Sequence, residues 1–366
     1  MLRISADRVC TPDGVARNAT VVVADHQIVA IEPAIGPVPE RLLVPGFVDL
    51  QVNGIDDIDC ATADGDDWNV LDQRLLQQGV TTWYPTLVTN RLAWYGAPLA
   101  RIATALARDA ATDAHVRPTL AGVHLEGPFL GGAAGAHRRD LIVAIDVEWI
   151  ETLPHHVRLV TLGAEQVHAA AAIETLRRDN RVVSVGHSTA SGEQFDQAVT
   201  AGATLVTHLF NGMSGLHHRT PGVAAWAITD DRVSASLIAD GVHVHPRMLQ
   251  LAFRALGPER CILVTDAVAW QAGTVGAVGI EFRDGAPRLP DGTLAGSALT
   301  MDEAIRVCVA AGIDVIDAVR AASTNPARLM GLNDRGTIAV GQRADLVALD
   351  TELAVEQVWV GGTPAR

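Results

Sequence analysis

Eight short apolar runs recur through the middle of the chain, and between most of them lie segments patterned as helices. The runs are LLVPGFVDL, VTTWYPT, TLAGVHLE, VRLVTLGAE, RVVSVGHS, ATLVTHLF, VSASLIADG and CILVTDA. Runs this short and this continuously apolar suit parallel strands buried on both faces. The intervening segments carry helix punctuation. DDWNVLDQRLLQQG opens on aspartates and stops at Gly79. SGEQFDQAVTAG pairs Ser191 with Gln194 as a capping box and ends at Gly202. HPRMLQLAFRALGP has Pro246 in its first turn and stops at Gly257-Pro258. Eight strands alternating with helices predict an α/β fold of the (β/α)8 TIM-barrel type. The second strand-to-helix unit and the 270–300 region fit this rhythm least cleanly.

The two ends have a different texture. LRISADRVC and ATVVVADHQIVAIEP near the start, and GTIAVGQRADLVALD and VEQVWVGG near the end, alternate in short runs broken by Pro and Gly turns, as antiparallel sheet does. We therefore expect residues 1–41 and 336–366 to combine as one small β-sandwich domain, with the barrel spanning residues 42–335. Of the 366 residues, 48% are hydrophobic and 19% charged, which suits a buried parallel sheet wrapped by helices. A net charge of −14 argues against a nucleic-acid or membrane-surface partner, and it leaves recognition of any anionic ligand to a few local groups. Cys10, Cys60, Cys261 and Cys308 show no paired spacing, as expected of reduced thiols in a cytoplasmic protein. The opening MLRISADRVCTPDG lacks an apolar core, so no signal peptide is expected, and no apolar run reaches membrane-spanning length.

In a barrel of this kind the chemistry sits where the strands end. The residues closing the apolar runs are Gln51 and Asn53, Thr86, Glu126, Glu165, His187, His208, Asp240 with His243, and Asp266. A lone histidine ending a strand is ordinarily a hydrogen-bonded structural residue. Glu126, His187 and His208 on three different strands are another matter: one carboxylate and two imidazoles form a common three-ligand catalytic metal shell with a position open for water. Zn2+ is the first expectation, and Fe2+, Mn2+ and Co2+ suit the same donors. Asp266, on the last strand, is placed to move a proton to and from a water at that metal. NGMSGLHHRTPG, after His208, contains Arg219 and could hold an anion, although its composition equally fits a surface loop. GGAAGAH, residues 131–137, reads as a mobile flap or a plain loop. His245, just before the helix-starting Pro246, reads as a loop residue. Metal hydrolases often end their first strand Asp-x-His-x-His, yet Gln51 and Asn53 stand in those two places here.

PGFVDLQVNG, HLEGPF, GAH, GHS, THLFNGM, RTPG, ADGVHVH, VTDA, GTLAGSALTM, NPAR and GTIAVGQRADLVALD occur in this order along nearly the whole chain. Together they resemble the N-acetylglucosamine-6-phosphate deacetylases of the amidohydrolase superfamily. The resemblance implies a barrel with a β domain built from both termini, and hydrolysis of the acetamide of N-acetylglucosamine 6-phosphate. It implies metal binding by Glu126, His187 and His208, with Asp266 as general acid and base. It assigns substrate contacts to Ala136 and His137, Asn211 and Gly212, Arg219, Asp240, Gly241, Val242 and His243, and Leu294, Ala295, Gly296 and Ser297. Relatives with Gln-x-Asn on the first strand keep one metal rather than two, so Gln51 and Asn53 are expected to bond water or substrate beside a vacant second position. The Arg219 loop is expected to reach a neighbouring subunit's site across a homodimer. Two departures bear on substrate fit. The flap lacks lysines and has Arg138 and Arg139 only after it, and AVAWQAG follows Asp266 where relatives usually have a proline. The alternatives are another N-acyl amino sugar, such as N-acetylgalactosamine 6-phosphate, or a catalytically inactive scaffold of the same fold.

Overall fold

The computed structural model describes residues 1–108 and 116–365. Its centre is a barrel of eight parallel strands, paired neighbour to neighbour in chain order: Phe47–Val52, Val80–Val88, Val123–Glu126, Val157–Leu162, Val182–Val185, Leu205–Val206, Ser234–Leu237 and Cys261–Leu263. The last strand returns to the first just past its own end. Asp266 N donates to Gln51 O at 2.9 Å, and Asn53 N donates to Ala267 O at 2.8 Å. All eight apolar runs supply barrel strands, nearly every residue of which is buried, with aliphatic side chains packed outward and a set of buried polar side chains such as His124 and Ser184 turned to the other face.

Helix boundaries follow the local signals. Ser191 Oγ accepts from Gln194 N, and Gln194 Oε1 accepts from Ser191 N, completing the capping box before Gly192–Ala201. His245, read as a loop residue, caps the helix Pro246–Leu256 instead: its ring accepts from Arg247 N at 3.2 Å.

Seven strands from the two termini form one hydrogen-bonded sheet in the order Thr363–Pro364, Val355–Val360, Leu346–Leu349, Leu42–Pro45, Leu2–Thr11, Gly14–Ala24, Gln27–Pro33. Two-residue alternation gives this sheet two jobs. Leu43, Leu346, Ala348 and Trp359 face a private core with Ile4, Val21 and Ile28. Leu42, Val44, Val347 and Leu349 face the barrel.

One expectation needs correction. LLVPGFVDL is two strands, and the junction between sheet and barrel falls at Gly46 rather than at residue 41. A side chain at Gly46 is excluded by packing. A Cβ there would lie 2.1 Å from Thr81 Oγ1, and Thr81 is buried. Gly46→Ala is accordingly expected to destabilise the chain by about 1–3 kcal/mol, the usual cost of overpacking a close-packed interior. Urea unfolding of the two proteins measures it.

Candidate active site

Glu126 is the last residue of the third strand, while His187, His208 and Asp266 follow the fifth, sixth and eighth strands within three residues. Those last three share a backbone feature: φ is +49° at His187, +31° at His208 and +50° at Asp266. Non-glycine residues seldom adopt this left-handed conformation. Surrounding hydrogen bonds hold it. His208 N donates to Ser236 Oγ at 2.7 Å, and the His187 carbonyl accepts from Gly131 N at 2.9 Å.

The side chains converge on one carboxylate. His187 Nε2 lies 3.2 Å and His208 Nε2 2.9 Å from Glu126 Oε1, and His137 Nε2 lies 3.7 Å from Glu126 Oε2. The ring nitrogens facing away from Glu126 decide the chemistry. His187 Nδ1 is 3.0 Å from Ala133 O, and His208 Nδ1 is 3.1 Å from Asn211 O. A carbonyl oxygen can only accept, so both Nδ1 atoms carry hydrogen. In the neutral rings both Nε2 lone pairs then point at a carboxylate oxygen that is also an acceptor. Burial, reinforced by the neighbouring His137, pushes His187 down to about 4, so near pH 7 that ring is neutral. Burial lowers His208 too, but its hydrogen bond to Glu126 and that carboxylate's charge outweigh burial and raise it, so this ring can hold a proton toward Glu126; with that proton off, three acceptors face one another, a set that fits a metal ion. Ligand atoms of Glu126, His137 and His187 all lie within 4.8 Å of one another, so His137, read above as a substrate contact, also stands within reach of that position.

Asp266 is buried, and burial together with the charge on Glu126 pushes its carboxyl up to about 6. Its Oδ1 accepts from Gln51 Nε2 at 3.0 Å and from Asn53 Nδ2 at 2.7 Å. Both side chains of the first-strand pair therefore reach Asp266. Gln51 and Asn53 hold the aspartate in place, because two amide donors fit a carboxylate where two imidazoles would have offered lone pairs. Asn53 Oδ1 remains buried without a protein partner, open to a donor from the cavity.

The cavity above these groups is lined by Asn53, Glu126, Ala136, His137, His187, His208, Asn211, Gly212, His243, Asp266, Leu294, Ala295 and Gly296 among the expected residues. Others stand back from it. Asp240 accepts His243 Nδ1 at 2.6 Å and so orients that ring instead of facing the cavity, and Gly241 and Val242 form the turn between them. Ser297 is fully buried and donates to Thr265 O. Arg219 lies on an exposed loop outside the cavity wall.

Sequence reading missed several lining residues. Thr89 and Ile238 are ordinary in type and carry no signal. Val275, Ala277 and Val278 come from the 270–300 region, where a hairpin closes one side of the cavity. Arg138 also lines it, paired with Asp140. The flap is not loose, for Gly131 N and Ala133 O both bond to His187. Beneath the site runs a layer of buried polar groups, with His124 Nε2 bonded to Thr161 Oγ1 at 2.8 Å and Thr161 to Thr207 at 2.8 Å.

The amidohydrolase family model matches residues 42–365. The chain is 36% identical to the N-acetylgalactosamine-6-phosphate deacetylase of Escherichia coli O157:H7 over 98% of both sequences. It is 38% identical to the N-acetylglucosamine-6-phosphate deacetylase of Bos taurus over 88% of this chain and 82% of that one. A mutant of the Mycobacterium smegmatis N-acetyl-D-glucosamine-6-phosphate deacetylase, solved in complex with N-acetyl-D-glucosamine-6-phosphate, superposes with a TM-score of 0.91 at 33% identity, over 100% of this chain and 99% of that one. The Thermotoga maritima enzyme of the same name gives 0.91 at 30% identity, again over 100% and 99%. With the family model covering residues 42–365 and named relatives aligned over most of both chains, this chain belongs to the N-acetylglucosamine-6-phosphate deacetylase family of amidohydrolases.

Proposed function

We propose that this chain hydrolyses the acetamide of N-acetylglucosamine 6-phosphate, giving glucosamine 6-phosphate and acetate in amino-sugar catabolism in the cytoplasm. The observation that carries the reading is the convergence of His187 Nε2 and His208 Nε2 on Glu126 beside a buried Asp266 whose Oδ1 is held by Gln51 and Asn53. One divalent cation, Zn2+ before Fe2+, Mn2+ or Co2+, would be held by Glu126, His187 and His208, with His137 near by. Such a cation makes water a nucleophile near neutral pH and polarises a carbonyl.

The chain's own groups supply the rest. Asp266 Oδ1 is committed to Gln51 and Asn53, so Oδ2 takes the proton of the attacking water. A carboxyl near 6 is charged at pH 7 yet basic enough to take that proton. As the tetrahedral adduct collapses, Asp266 returns the proton to the departing nitrogen, and an amide cannot release its amine without it. His243, held by Asp240, contacts the substrate's polar edge. Asn53 Oδ1 is the acceptor for an N–H or O–H of substrate or water.

The N-acetylgalactosamine 6-phosphate reading also has support, since the relative of that name matches 98% of this chain. The two sugars differ at one hydroxyl, away from the reacting amide, and the same machinery serves both. Loss of catalysis with retention of the fold is the weaker reading, because Glu126, His187, His208 and Asp266 are all present and assembled.

Acetate release from N-acetylglucosamine 6-phosphate, its galactosamine epimer and unphosphorylated N-acetylglucosamine tests the function. Release from at least one phosphorylated sugar is expected, and release from none would overturn the reading. Asp266→Asn is expected to fold and keep its metal while losing at least roughly 100-fold in turnover, the low end for a general acid and base. Near-normal turnover would remove Asp266 from the mechanism, and loss of the metal would make it a ligand.

Phosphate recognition has few candidates against a net charge of −14. We assign it to Arg219 reaching the partner's cavity in a two-fold homodimer, which completes both sites at once. Arg219→Ala should weaken the phosphorylated substrate by about 1.5–3 kcal/mol, the worth of a charge-assisted hydrogen bond. Mixed with Asp266→Asn protein under subunit exchange, it should regain activity, since each hybrid holds one site with both groups intact. No recovery despite exchange would assign Arg219 to its own chain's site or to solvent.

A further inference from the structure

Glu165 lies three residues past the fourth barrel strand, Val157–Leu162, yet it does not line the cavity and has no part in the chemistry above. Its carboxylate is densely bonded. Oε1 accepts from Gly132 N at 2.8 Å, Thr189 N at 2.6 Å and Thr189 Oγ1 at 3.0 Å, and Oε2 accepts from Ser188 Oγ at 2.5 Å. Burial alone would raise this carboxyl, but the bonds from Ser188, Thr189 and Gly132 bring it below its ordinary value.

The donors come from two segments only: the 131–137 flap and the loop directly after His187. Those segments are joined again through His187 itself. Its carbonyl accepts from Gly131 N at 2.9 Å, and its Nδ1–H donates to Ala133 O at 3.0 Å. Gly131 explains why the flap begins with glycine. A Cβ there would lie 2.1 Å from Glu165 Oε1 and 2.5 Å from Oε2, so the carboxylate fills the space a side chain would take. The far end of the flap brings Ala136 and His137 to the cavity wall.

We propose that Glu165 is a positioning residue that latches the flap to the His187 loop and so keeps the Ala133 carbonyl on His187 Nδ1, with Nε2 aimed at Glu126. The effect on His187 as a ligand rests on the cation reading above, whereas closure of the flap does not. Removing the carboxylate releases two exposed backbone N–H groups, at Gly132 and Thr189, to solvent and leaves the flap held only by its bonds to His187. A glutamine in its place keeps an oxygen for the three donors now on Oε1, and its NH2 can donate to Ser188 Oγ.

The test compares Glu165→Ala, Glu165→Gln and Gly131→Ala in the full chain. The first readout is amide hydrogen exchange across 131–137 in metal-free protein. Exchange should quicken at least roughly tenfold in both alanine variants, as a latch predicts, and stay within about threefold of the parent in Glu165→Gln. The second is Zn2+ affinity by competition with a chromophoric chelator. It should fall about 10- to 100-fold in the alanine variants, as for a lost partner behind a histidine ligand, and recover in Glu165→Gln. Unchanged exchange in the alanine variants, or a glutamine as loose as alanine, overturns the latch. Faster exchange with parental Zn2+ affinity overturns the link to His187. A parent chain that binds no Zn2+ overturns the cation reading instead, and exchange alone then decides the latch. Should Glu165→Ala fail to fold, Gly131→Ala, which evicts the carboxylate from the flap side, is read against Glu165→Gln.

Discussion

Three acceptors share one point in space at the mouth of this barrel. Glu126 Oε1 sits 2.9 and 3.2 Å from two imidazole nitrogens whose partner nitrogens are tied to backbone carbonyls. These groups repel unless a positive charge lies between them, either a proton on His208, which Glu126 favours, or a metal ion, and burial removes the water that would screen the repulsion. Much of the surrounding structure keeps that conflict in place. Left-handed backbone at His187 and His208 turns each ring inward, at about 1–3 kcal/mol each for a non-glycine residue. The flap supplies the carbonyl for one ring and the Asn211 turn supplies it for the other. A cation placed there relieves the repulsion, and part of its binding energy then stabilises the fold.

The first strand turns its polar side chains to the aspartate rather than to Glu126. In place of two imidazoles, Gln51 and Asn53 offer amide N–H groups, and both go to Asp266 Oδ1. Donors stabilise the charged carboxylate, while burial and Glu126 oppose it, and the balance leaves the aspartate near 6. A group poised there suits a reaction that must take a proton and return it. Gln51 and Asn53 thus orient the Asp266 carboxylate.

Much of this was legible in the linear chain, for reasons that are physical. Continuous apolar runs mark strands buried on two faces, and CILVTDA or RVVSVGHS can be read as strand plus site because the fold aims every strand end at one place. Contacts between residues far apart in sequence were not legible. Nothing in QVN or VTDA alone says that the amides of one bond the carboxylate of the other, 213 and 215 positions away. His137 gave no sign that it approaches Glu126, and Glu165 was only one more polar residue at a strand end. LLVPGFVDL hid its break because Leu42 and Val44 are as buried as the barrel strand that follows, and only the clash at Gly46 marks the junction. The hairpin at Thr274–Gly279 was obscure because its strands are two residues long, too short for alternation to register.

Metal content decides whether one cation site exists, with the first-strand amides in the place of a second. Elemental analysis of protein purified without added metal, with chain concentration from amino-acid analysis, tests it most directly. The account predicts about one divalent metal per chain, lost together with acetate release on chelation and restored together on adding Zn2+. Two equivalents at near-full occupancy would contradict it, and would mean that Gln51 and Asn53 serve a second metal rather than Asp266.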